Sequence, residues 1–162
     1  MAPHIPCVYR INISTGGVPK HPVPEAWISV HGVAGDCQRN RILHGGADRA
    51  VCLFSRERIE ALIQEGHPIA PGACGENLTL QGVDWAHLAP GDRLRIGDTL
   101  ELEITRYTEP CRKNARWFRE EHYRRIDHRI YPGWSRLYAR VLVEGMVRVG
   151  DPVWVKPRVT QE

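Results

Sequence analysis

The stretch Leu94-Arg95-Ile96-Gly97-Asp98-Thr99-Leu100-Glu101-Leu102-Glu103-Ile104 decides the fold class. Its second arm alternates apolar and acidic residues without a break, the period-2 pattern of a strand with one face in a core and one in water. Gly97-Asp98 between two such runs marks the tip of a β-hairpin that continues to Tyr107. Working outward, short apolar runs bounded by turn residues recur along the chain. Ile5–Ile13 ends at Ser14-Thr15-Gly16-Gly17, Ala26–Val33 stops at Gly35-Asp36, and Ala50–Phe54 is apolar on both faces. Gly75–Leu80 is another such run, and Leu137–Val143 and Val147–Val155 meet at Glu144-Gly145. Two helices interrupt the strands. The first is predicted over 56–65, with Ser55 as N-cap, Ile59, Leu62 and Ile63 at helical spacing, and Gly66 where it stops. The second is a candidate over 111–125. Strands in runs rather than in β-α-β alternation predict a mainly β fold, a closed barrel or sandwich and not a doubly wound sheet.

The chain has 162 residues, the size of one domain, and the reading is a single domain over 1–162. Hydrophobic residues make up 42% and charged residues 25%, a globular balance. No apolar run approaches the ~20 residues of a membrane span, and the N-terminus carries no secretory pattern. The expectation is a cytoplasmic protein that engages neither membrane nor nucleic acid, since the net charge is only +3. The charge is unevenly placed: residues 106–140 hold 10 Lys/Arg against 4 Asp/Glu, a local +6. That block fits a small anionic ligand such as a phosphate, an acidic partner, or a solvated basic face.

Five scattered cysteines, an odd number without C-x-x-C, argue against a disulfide framework and for reduced thiols. Cys111 stands apart. In Thr108-Glu109-Pro110-Cys111-Arg112-Lys113, Thr108 is a candidate cap and Pro110 a first-turn residue, which would set Cys111 at a helix start beside two cations. Those conditions lower a thiol pKa, so Cys111 is the candidate nucleophile or soft metal ligand, alongside the plainer reading of a structural thiol. His44-Gly45-Gly46-Ala47-Asp48-Arg49 is a Gly-rich loop that suits an anion or a plain turn. The eight histidines lack the paired short spacings of structural zinc, and no P-loop, Rossmann fingerprint, G-x-S-x-G or H-E-x-x-H occurs.

Taken in order, six motifs resemble the MOSC domain, the C-terminal domain of molybdenum cofactor sulfurases that also occurs as small stand-alone bacterial proteins. They are Gly32-Val33-Ala34-Gly35-Asp36, His44 to Val51, Gly75-Glu76-Asn77-Leu78-Thr79, Pro110-Cys111, Pro132 to Leu142 and Val149-Gly150-Asp151-Pro152-Val153. The match runs over roughly residues 8–156. The resemblance implies a distorted closed β-barrel, of pyruvate-kinase-barrel type, with two or three short helices. It implies the molybdenum cofactor (molybdopterin), with Cys111 as catalytic residue and thiolate ligand of the metal; the family is also associated with pyridoxal phosphate binding. Asn77 matches a pterin-contacting position, and Thr15 and Lys20 fall where relatives contact the cofactor phosphate. His44, Asp48, Arg49 and Arg136 belong to motifs lining the implied site, and Arg112 and Lys113 to its cationic surround. Where the commonest stand-alone pattern has Arg two residues before Pro-Cys, this chain has Thr108-Glu109, which points to a different substrate pocket.

On this resemblance the expected function is reduction of N-hydroxylated compounds. The chain has no flavin, haem or iron–sulfur motif, so an external electron-donor redox protein must be a partner and a small molecule the substrate. Sulfur transfer through a Cys111 persulfide and non-catalytic cofactor carriage are the alternatives. Arg136→Ala is expected to weaken cofactor retention with the fold intact.

Overall fold

Residues 5–37 and 46–159 are described by the structure, a computed structural model. In chain order the strands are β1 (Cys7–Ile13), β2 (His21–Val23), β3 (Glu25–Ser29), β4 (Gly32–Val33) and β5 (Val51–Ser55). The single α-helix among the described residues, α1 (Arg56–Gln64), follows β5 directly. Then come β6 (Leu78–Gln81), β7 (Arg93–Ile96), β8 (Leu100–Tyr107), β9 (Leu137–Val143), β10 (Gly145–Arg148) and β11 (Val153–Lys156). Eight strands form one sheet in the order β11-β7-β8-β9-β5-β6-β1-β2, and β10-β3-β4 form a small second sheet. All pairs are antiparallel except β5–β6.

The hairpin read from the sequence is β7–β8. Leu94 faces Leu102 and Ile96 faces Leu100, all four fully buried, while Arg93 and Arg95 oppose Glu103 and Glu101 on the outer face. The cross-strand pairing sorts apolar residues inward and opposite charges outward, each pair adding a few tenths of a kcal/mol up to ~1 kcal/mol. The five residues of β5 are all buried, as its two-faced apolar run requires. The described core gathers Ile11, Leu53, Phe54, Leu78 and Leu80 from the sheet with Ile59 and Leu62 from α1. Ile63 stays 43% exposed, outside the packed stripe.

Four sequence expectations are corrected. The sheet is not closed into a barrel by a strand ladder: β11 and β2, its outermost strands, do not pair. Its ends meet at one bridge, Cys7 with Pro152, flanked by Val8 N–H to Asp151 O (2.9 Å), Gly150 N–H to Val8 O (2.8 Å) and Val153 N–H to Pro6 O (2.8 Å). Pro6 and Pro152 have no N–H to donate, so the seam cannot extend into a regular ladder.

The run Ala26–Val33 is two strands, because the chain turns between Ser29 and Gly32. Gly32 takes φ +119°, and a Cβ there would lie 3.0 Å from Ala50 O, so the hairpin needs glycine for its approach to β5. The expected strand Val147–Val155 likewise splits into β10 and β11 around Gly150-Asp151.

The helix expected over 111–125 is three short 3-10 segments, Arg112–Trp117, Arg119–Glu121 and Tyr123–Ile126. Phe118 is extended, and Glu120 and Glu121 adopt positive φ of 55° and 57°, which breaks any continuous ladder. Tertiary anchors explain the break: Asn114, Phe118 and Ile126 are each buried, and Phe118 packs edge-on against His67. With seven Lys/Arg between 112 and 129 repelling one another at helical spacings, the anchors override a weak helical preference.

The N-cap reading of Ser55 holds. Its buried hydroxyl accepts the Arg58 N–H at 3.1 Å. Ser55→Ala is expected to lower the unfolding free energy by about 1 kcal/mol, seen as a lower urea midpoint at unchanged slope. An unchanged midpoint would show that the cap contributes nothing.

Candidate functional site

Two cavities share a wall made by Cys111 and Tyr138. The inner one, about 110 Å³, is walled by the loop after β1, the loop before β6, the start of β9 and the segment after Cys111. The outer one is a groove of about 790 Å³ along the end of β8 and the segment 127–129. Cys111 is half-buried between them.

The inner cavity is built on a buried polar chain. Asp36 Oδ2 accepts from Lys20 Nζ at 2.6 Å and from Asn77 Nδ2 at 2.9 Å, and its Oδ1 accepts the Ser14 N–H at 2.9 Å. Asn77 Oδ1 in turn accepts the Cys52 N–H at 3.0 Å, so one network ties the β1 loop, β5 and β6 together. Glu76, next to Asn77, is wholly buried; it accepts the Gly72 N–H and a Thr79 hydroxyl, and burial raises its carboxyl pKa. At Gly72 a Cβ would come within 2.7 Å of Lys20 O, which keeps this loop against the β1 loop.

Arg136 closes the cavity from β9's approach. It is only 5% exposed, and donates through Nη1 to Cys74 O at 2.8 Å and through Nη2 to Glu109 O at 3.1 Å. Its buried Nε has no partner, and among the described residues no carboxylate lies within ion-pairing distance of it. Burial raises the Cys52 and Cys74 pKa values despite the nearby guanidinium, so at neutral pH these thiols carry no compensating charge. A buried cation with a spare donor fits an anion entering the cavity, because leaving such a charge unpaired costs several kcal/mol.

The structure brings together Lys20, Asn77, Cys111, Lys113 and Arg136 around the inner cavity, and Arg49 and Arg112 around the outer groove with Cys111. Thr15 is exposed and lines neither cavity; Asp48 is exposed too, on the 3-10 turn Ala47–Arg49, and lines neither. His44 lies outside the described residues. Cys37, Cys52, Cys74, Asn114 and Tyr138 also line the inner cavity and were not singled out from the sequence. Cys52 sits inside an apolar strand run, and its spacing carries no mark of a site.

Thr108 does not cap a helix, which corrects the local reading of Cys111. Thr108 is buried, its N–H donates to Arg136 O at 2.9 Å, and its hydroxyl lies 4.0 Å from Cys52 Sγ. Cys111 is itself the residue before the short 3-10 segment, in extended conformation, so no helix macrodipole acts on it. The +6 block is not one surface either. Arg125 is bonded twice to Glu65, Arg129 holds Asp127, Arg140 pairs with Glu103, and Arg136 is buried.

Where the sequence reading expects Arg136→Ala to leave the fold intact, the burial and carbonyl bonds of Arg136 lead to an expected destabilisation. The substitution strips donors from two carbonyls and leaves a void, so a loss of about 3 kcal/mol is expected in urea unfolding. A variant as stable as the parent would show that water replaces the guanidinium at no cost. Brief alkylation at mildly alkaline pH should modify Cys37 and Cys111 and leave Cys52 and Cys74 unmodified until the chain unfolds, read by peptide mass spectrometry. Labelling of Cys52 or Cys74 at the same rate would mean that the cavity opens freely.

Comparison with known proteins bears on this site. The profile of the MOSC domain matches residues 40–154. YflK of Bacillus subtilis (strain 168), described as uncharacterized, is 31% identical over 139 residues, covering 83% of this chain and 60% of YflK. A Gibberella moniliformis protein named reductase is 30% identical over 130 residues, 77% of this chain and 22% of that protein. The chain thus spans three fifths or less of the length of these curated relatives. The crystal structure of YiiM from Geobacillus stearothermophilus superposes with a TM-score of 0.71 over 94% of this chain and 75% of that one, at 24% identity. Cys111, Gly75 and Asn77, which line the inner cavity, lie within the profile match, and the chain belongs to the MOSC domain family.

Proposed function

We propose that the chain binds the molybdenum cofactor and reduces N-hydroxylated compounds, with Cys111 as thiolate ligand to the metal. The observation that carries this reading is the position of Cys111, half-buried where the inner cavity with its unpaired cation meets the larger outer groove. MOSC domains are associated with this cofactor, and one relative is named a reductase. The residues fit the group: a soft sulfur donor for the metal, and Arg136 with a free buried N–H for the anionic part of the pterin. Lys113 and Asn114 extend the same lining, and Lys20 and Asn77 stand behind it, ordered by Asp36.

When bound, the cofactor supplies two-electron redox chemistry suited to taking the oxygen from an N–O bond. The chain's own part is positional. Arg136 and the Asn77 network would orient the anionic ligand, Cys111 would supply the sulfur that holds the metal, and the outer groove would admit the substrate. The buried Cys52 and Cys74 are neutral thiols and leave the charged ligand role to Cys111. Electrons arrive from a separate redox protein, and the reaction takes place in the cytoplasm.

The test is elemental analysis with pterin fluorescence on protein from a host that makes the cofactor, followed by reduction of an amidoxime with an artificial donor. Stoichiometric molybdenum and turnover are expected. Cys111→Ser should abolish turnover while some pterin remains bound, because a hydroxyl is a poor soft-metal ligand. A cyanide-labile sulfur on Cys111 without molybdenum would overturn the proposal in favour of sulfur transfer. Bound cofactor with no turnover under any donor would reduce the chain to a carrier.

A further inference from the structure

The outer groove holds more chemistry than the cofactor requires. Four arginines line it, Arg49, Arg106, Arg112 and Arg129, against two acids, Glu109 and Asp127. Asp127 is already committed: its carboxylate accepts from Arg129 through Nε at 3.3 Å and Nη2 at 3.2 Å, and it lies 3.8 Å from Arg124. Arg106 and Arg112 are different. Both are exposed, and neither side chain has a hydrogen bond or ion pair with another described residue. The groove therefore keeps a positive surplus beside Cys111.

Its lining is also aromatic. The rings of Tyr107 and His128 stack at 3.5 Å between centroids and 6° between planes, and the Arg49 guanidinium lies 5.6 Å from the centroid of Tyr138. A planar, unsaturated body packs on such a wall, and a volume of about 790 Å³ is within the range of small-molecule sites.

We infer that the groove selects planar N-hydroxylated substrates bearing an anionic group, carboxylate or phosphate, which Arg106 and Arg112 bind while the N–O end faces Cys111. The inference rests on the reductase reading above for the N–O group, but the anion preference is a property of the groove itself. Planar guanidinium groups bind either oxyanion through paired N–H donors, a bond that a neutral tail does not gain.

The experiment compares binding of three ligands to the full chain, purified from a host that makes no molybdenum cofactor. They are an aryl amidoxime, its para-carboxylate and its para-phosphonate, measured by calorimetry at low ionic strength. The anionic forms should bind roughly tenfold more tightly than the neutral one, the worth of one charge-assisted bond. Added salt should shrink that ratio. The ratio should collapse towards one in R106A/R112A, whose fold circular dichroism should show intact, since both side chains are exposed and unpartnered. Arg148→Ala, on a strand remote from the groove, should keep it. The tighter of the two anions identifies the group selected. Equal binding of all three ligands, or a preference that survives in R106A/R112A, would overturn the inference. Equal binding combined with a slower donor-dependent rate in that variant would overturn it too, by assigning the two cations to the electron donor. Cofactor-loaded enzyme that reduces none of the three would sink the reductase reading and leave the binding ratio as the separate measure of the groove.

Discussion

The guanidinium of Arg136 is the constraint around which the rest is arranged. A cation taken almost wholly out of water must find acceptors, and here they are carbonyls, Cys74 O and Glu109 O, rather than a carboxylate. Each carbonyl belongs to a segment that flanks a cavity, so one side chain fixes the distance between the loop before β6 and the chain leading into Cys111. Asn114 adds a second donor to Cys74 O at 3.2 Å, locking the segment after Cys111 to the same point. A carboxylate partner would have neutralised the charge, whereas carbonyl acceptors leave it available to a ligand. The site's charge and its geometry thus come from the same atom group.

Burial divides the cysteines without any difference in their immediate chemistry. Cys52 and Cys74 are held neutral by desolvation, while Cys37 is exposed and Cys111 half-buried. Four thiols around one small cavity therefore fall into two populations, two shut away from water and two open to it. Their separation is topological. Cys52 lies on a strand buried on both faces, whereas Cys111 lies on an irregular stretch at the edge of the sheet's cover.

Local patterns revealed what depended on local forces. The alternation of Leu100 to Ile104, the Ser55 cap and the hairpin tip at Gly97 are all set by period or by a bond a few residues long. The Pro110-Cys111 motif singles out a residue that lines both cavities, although no α-helix starts there in the structure. Arg136 is singled out by its motif, but its burial is not legible, because charge counting over 106–140 is blind to burial. The segment 112–126 resembled a helix because its anchors, to Cys74, His67 and Glu65, are distant in sequence. Cys52 and Cys74 were unreadable for the same reason: only the parallel β5–β6 pair and the returning β9 place them at one cavity.

The unclosed seam between Pro6 and Pro152 leaves the large sheet with two free margins, and each is blunt. One margin, β2, is three residues long and has Pro22 at its centre, so it offers no continuous row of donors to a neighbouring chain. The other, β11, ends in Lys156 followed by Pro157, which places a charge and a missing N–H where a docking strand would extend. Short length, proline and lysine are the devices that deter edge-to-edge polymerisation of strands. A sheet that stops short of a barrel in this way keeps the protection a barrel would provide against stacking into fibres, and does so with two prolines and a lysine in place of a closed ring of hydrogen bonds.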